Sequence, residues 1–318
     1  MEDPQTREPA AAPQFEAVRR PSELRQLFFS GNALRPAWAV VAYVLMFYPL
    51  QLVLGWLASQ VQFKPRHELF SLPLVEFALF GAAVIPSVVM GLVEHRDWGS
   101  FGLPLRSAFR RLFWVGTGWG FAGISLLMVL LYGARAFYIG HLALHGAKIF
   151  EFAIFWAAMF LAVGLFEEFM LRGYSQNALA RAVGFWPAAV ALSVVFGVIH
   201  LGNAGESAAG ILAVAAIGFF FALTLYRTGS LWFAVGFHAA WDWGETFFYS
   251  VPDSGGIFPG HLFASSFRGP KWLTGGKTGP EASVFCFVVI ALAWLAFSYA
   301  YPEVHWKAGS ARTDPEVL

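Results

Sequence analysis

Eight mostly apolar stretches recur along the chain, at roughly 37–61, 70–93, 112–132, 149–171, 185–201, 208–226, 230–250 and 282–301. A helix needs about 20 such residues to cross the hydrocarbon core of a bilayer. The pattern therefore predicts an all-α fold, a multi-pass membrane bundle of about eight transmembrane helices. Composition points the same way: 58% of the 318 residues are hydrophobic and 13% are charged, against about a quarter charged in ordinary soluble domains. That much apolar surface exceeds what one soluble core of this length buries, so the lipid bilayer is the expected partner. The spans divide the chain into a polar N-terminal tail at 1–36, a membrane domain at 37–301 and a C-terminal tail at 302–318. The first segment lacks the basic start and apolar centre of a signal peptide.

A formal net charge of +1, without any local run of Lys and Arg, excludes nucleic acid as a partner. With the N-terminus placed in the cytoplasm, the inner segments hold 14 of the 21 Lys and Arg residues, among them Arg96, Arg106, Arg110, Arg111, Arg181 and Arg227. The outer segments hold the other 7: Lys64, Arg66, Arg135, Lys148, Arg268, Lys271 and Lys277. This bias predicts that both termini are cytoplasmic. The lone cysteine, Cys286, lies in an apolar stretch and reads as a small hydrophobe. Residues 251–281, dense in Gly and Pro, read as one long irregular loop on the outer face.

Charged side chains inside spans are costly and mark candidate sites. The fourth span ends LFEEFMLRGY, which puts Glu167, Glu168 and Arg172 together. At about 100° per residue, Glu168 and Arg172 are i, i+4 neighbours that can pair, while Glu167 points about 100° away. A helix end with a structural ion pair would explain Glu168 and Arg172; Glu167, left free to face another helix, is the candidate general base. The fifth span carries Phe196 and His200 at i, i+4, and the seventh carries His238 and Asp242 at the same spacing. Either histidine alone would read as a helix-to-helix hydrogen bond. Two carboxylates, two histidines, an Asp and an Arg on three spans read better as one site. Glu76, Glu151 and Glu245 lack such companions and read as structural.

These three patterns resemble those of the CPBP intramembrane proteases, also called the Abi or type II CAAX prenyl endopeptidase family. Its EExxxR motif is matched by Glu167, Glu168 and Arg172, its FxxxH motif by Phe196 and His200, and its HxxxN/D motif by His238 and Asp242, in the family's order. FGLP at 101–104 is similar to the family as well. The resemblance implies an enzyme that hydrolyses peptide bonds in the membrane, with peptide or protein substrates: prenylated CAAX proteins, bacteriocin-related peptides or other membrane-associated chains. It implies that Glu167 and His200 activate water, and that His238 and Asp242 help bind or polarise the carbonyl. Asp in place of Asn adds a negative charge, which favours either a metal or a protonated His238. A metalloprotease using zinc or another divalent ion, held by Glu167, His200, His238 and Asp242, and a metal-free, glutamate-type mechanism both fit.

One difficulty concerns depth. If the fourth span ends near 171, Glu167 lies within two turns of the inner face, whereas His200 lies about 22 Å along the fifth span from Phe185. They would then not meet unless the fifth span starts deeper, tilts or ends inside the protein. The competing function is a non-enzymatic transporter or immunity-type protein that uses the same polar cluster, which inverted repeats would favour. No such repeat is visible. No HExxH occurs, since His67 and Glu68 are followed by Leu69, Phe70 and Ser71, and no paired aspartyl or convincing serine motif stands in its place.

Overall fold

The computed structural model describes residues 27–30, 33–61 and 71–307. Most of the two predicted tails, with Lys64 and Arg66, lies outside them. The long helices are α1 (Pro36–Ser59), α2 (Ser71–Val93), α3 (Arg111–Gly133), α4 (Ala147–Met170), α5 (Gln176–Val183), α6 (Phe185–Ile199), α7 (Ala208–Thr228), α8 (Trp232–Trp243) and α9 (Val284–Ala300). Local chemistry sets several ends. Pro36 opens α1, where its missing N–H is not needed. The Ser207 and Ser283 side chains accept from Gly210 N and Phe285 N to cap α7 and α9. Gly229, at φ 66°, closes α7.

The all-α reading holds, and a helix stands at each of the eight expected positions. Six helices are long and apolar enough to cross a membrane. The remaining two are α9, of 17 residues, and α8, of 12, which a π-turn over Gly244–Phe248 extends.

The expected end of the fourth span near 171 needs correction. The helical run passes through a π-turn at Leu171–Ser175 and continues as α5 to Val183. Ala147–Val183 spans 37 residues, which as one straight helix would be about 55 Å long, far more than a bilayer core. The run breaks at Gly173, whose ψ of −116° is not helical. Past the break, α5 is anchored by charge: Arg181 pairs with Glu94 at 2.7 Å, and Tyr174 donates to the same carboxylate at 2.7 Å. Glu167 is thus not at the inner end of its helix, and the depth conflict with His200 rested on the wrong boundary.

Helix α8 is the most enclosed element, with α3 and α4 against it. Glycines bring α3 and α8 together. A Cβ at Gly116 or Gly120 would overlap the carbonyl of Phe233 or Phe237, and one at Gly236 would overlap that of Phe113. Small residues permit such close approach where lipid gives helices no hydrophobic reason to associate. The FGLP segment holds the start of α8: Leu231 N donates to Gly102 O at 2.8 Å, and Trp232 Nε1 donates to Pro104 O at 3.2 Å. Burial separates centre from edge, since 56% of the most apolar window of α7 is buried against 17% for α1. The 251–281 loop is not wholly irregular. Ser266–Phe267 pairs antiparallel with Phe137–Tyr138, and short helical turns form at Lys271–Thr274 and Pro280–Ala282.

Candidate active site

Glu167, His200, His238 and Asp242 line one cavity of about 670 Å³. Its walls are largely aromatic, from Trp156, Phe160, Phe196, Phe221, Phe237 and Trp241. Three elements deliver the polar groups. Late α4 presents Glu167, the turn that ends α6 presents His200, and α8 presents His238 and Asp242 one helical turn apart.

The neighbouring glutamates have different surroundings. Glu168 is fully buried and accepts from Arg172 Nη1 through both oxygens, at 3.2 and 3.3 Å. Its Oε1 also lies 3.0 Å from His238 Nδ1, so Glu168 engages a second helix as well as the expected arginine. Glu167 is 21% exposed in its side chain and faces His238 Nε2 at 3.7 Å. Arg172 is itself buried, with its guanidinium 4.5 Å from the centre of the Phe196 ring. Gly218 leaves room for it, since a Cβ there would collide with Arg172 Nη2. The phenylalanine of the second motif therefore serves the arginine of the first.

The two histidines are held in different states. His200 Nδ1 lies 2.9 Å from the carbonyl of Phe196. A carbonyl only accepts, so Nδ1 carries the proton and Nε2 is left as an acceptor. His238 stacks on Phe221 at 5.7 Å between ring centres and turns both nitrogens toward carboxylates, Nδ1 to Glu168 and Nε2 to Asp242 at 3.3 Å. Two acceptors are satisfied together when both nitrogens donate. In that arrangement the ring offers no lone pair to a metal, so the expected ligand set of Glu167, His200, His238 and Asp242 fits an ion poorly.

The structure adds groups that spacing could not find. Glu76, read as structural, lines the cavity from α2. Asp253 and Glu281, at the two ends of the long loop, line it as well. Burial is the main cause that pushes both carboxyls above the usual range, and their mutual charge and that of Asp242 push Asp253 further. Glu245, also read as structural, is fully buried beside them. Glu151 remains outside the cavity lining.

Residues 149–244 match the family model described as type II CAAX prenyl endopeptidase Rce1-like. No curated protein and no solved structure matches the chain. The matched stretch contains all three motifs, while Glu76, Asp253 and Glu281 fall outside it.

Proposed function

Because residues 149–244 carry the motif-bearing core of a CPBP-type membrane protease, we propose that this chain is an intramembrane endopeptidase of the glutamate type, with Glu167 as general base. The observation that supports this reading is the division between adjacent carboxylates: Glu168 is locked by Arg172 and His238, while Glu167 faces the cavity shared with His200. Glu167 takes a proton from water, and His200 orients that water by accepting at Nε2. The resulting hydroxide attacks the scissile carbonyl carbon. The Nε2–H of His238, set between Glu167 and Asp242, is the donor nearest the path of the developing oxyanion. Collapse breaks the C–N bond, and the proton held by Glu167 passes to the leaving amine. Glu168, Arg172 and Asp242 act through His238 and are positioning residues.

No step in this reading needs a metal, because both nitrogens of His238 are turned to carboxylates. The aromatic walls and acidic interior suit a short extended peptide with apolar side chains, such as the C-terminus of a prenylated CAAX-type protein. The test is cleavage of a membrane-anchored reporter peptide by Glu167→Gln in detergent or vesicles, with protein level measured alongside. Loss of turnover at wild-type abundance supports the assignment. Normal cleavage at that abundance overturns it.

A further inference from the structure

We propose that Glu245, Asp253 and Glu281 form a binding site for a hard divalent cation of calcium size, distinct from the water-activating pair. The three residues offer carboxylate oxygens that all lie within 4.8 Å of one another. They come from three separate segments: the π-turn after α8, the start of the long loop, and the helical turn before α9.

The hydrogen bonds leave room for a ligand. Glu245 Oε2 accepts from Trp241 Nε1 at 3.0 Å, Asp253 Oδ2 accepts from Thr246 Oγ1 at 2.9 Å, and Glu281 Oε2 accepts from Ser254 N and Oγ at 3.0 and 2.9 Å. One oxygen of each carboxylate is held by a neighbour. Glu245 Oε1, fully buried, has no partner among the described residues. A buried carboxylate oxygen without a donor is expensive. A proton would not relieve it, because a hydroxyl at Oε1 would find no acceptor within hydrogen-bonding reach among the described residues. A cation shared with Asp253 and Glu281 would.

Size and donor type select the ion. Calcium binds oxygens at about 2.3–2.6 Å, so oxygens on opposite sides of it stand about 4.6–5.2 Å apart. Magnesium, at about 2.0–2.1 Å, would require the group to contract. Zinc prefers nitrogen and sulfur ligands, and this set has neither. A bound ion would join the end of α8, which carries Asp242, to the loop wall at Asp253 and Ser254 that lines the cavity.

Terbium, a luminescent substitute for calcium, provides the test, because the indole of Trp241 is hydrogen-bonded to Glu245 and can sensitise it. The full-length protein in detergent is titrated with terbium under tryptophan excitation, then with calcium and magnesium as competitors. Expected is saturable emission at one ion per chain, displaced by calcium at lower concentration than by magnesium. Asp253→Asn and Glu281→Gln, near-isosteric changes on different segments, should each weaken binding about tenfold or more. Glu167→Gln should bind as the wild type does, whatever its cleavage activity. Calcium should raise the unfolding temperature of the wild type and not that of Glu281→Gln. Wild-type binding by both site variants overturns the proposal, as does the absence of both calcium-displaceable emission and a calcium-dependent shift in unfolding temperature. Loss of binding in Glu167→Gln overturns it too, by moving the ion to the catalytic cluster.

Discussion

Two groups of carboxylates face the same cavity, and they differ in what stands between them. Around His238, positive and negative groups alternate: Arg172, Glu168, His238 and Asp242 follow one another at 3.2, 3.0 and 3.3 Å. Around Glu245 the described neighbours are Asp253 and Glu281, with polar donors behind them. The first group is neutralised by its own side chains, and the second depends on something that binds. Removing one carboxylate should therefore have opposite consequences in the two places.

The largest effect is expected at the carboxylate that neither arrangement ties down. Glu167→Gln should lower turnover by about 10² to 10⁴-fold, the usual contribution of a general base, with little change in abundance. Comparing kcat with protein level measures both. Next comes the alternating chain itself. Arg172→Gln strands the buried Glu168 charge, at a cost of about 3–5 kcal/mol, read as loss of folded protein in membranes. Glu168→Gln should fall in abundance too, and also in turnover per folded molecule, because it frees His238. Equal specific activity of folded Glu168→Gln and Arg172→Gln would show that the Glu168 to His238 contact does not matter.

A smaller loss should follow from disturbing the contact that places His238. Gly120→Val forces a side chain against the Phe237 carbonyl, and overpacking of this kind costs about 1–3 kcal/mol. Thermal unfolding would show it, with turnover reduced by the shift of α8. The smallest change is expected in the second group. In chelator, Glu281→Gln should alter stability by no more than about 0.5 kcal/mol, since relief of like-charge repulsion offsets its weakened bonds to Ser254. A loss there as large as that of Arg172→Gln would erase the contrast.

What could be read beforehand follows the reach of helical periodicity. Glu168 with Arg172, Phe196 with His200 and His238 with Asp242 all lie at i, i+4, so sequence places each pair on one face. The membrane bundle was legible from the length and apolarity of the spans. Glu245, Asp253 and Glu281 meet through a Gly- and Pro-rich loop, where no period relates one residue to another. Glu76 reaches the cavity from a helix distant in sequence, and its lack of local companions made it look structural. The depth of Glu167 was misjudged because nothing in LRGYS separates a π-turn that continues a helix from a sequence that ends one.

That π-turn has a further consequence for lineage. A π-turn is an α-helix with one residue too many. Ser175 bridges the widened step by donating to the Met170 carbonyl at 2.7 Å. Deleting a single residue between 171 and 175 would restore a regular ladder and turn everything beyond it by about 100°, carrying Arg181 away from Glu94. The extra residue can therefore be lost only if both ends change together. When relatives of this chain are aligned, a one-residue gap between the motif arginine and α5 should mark lineages that hold α5 by other contacts, whereas gaps in the 251–281 loop should carry no such signature.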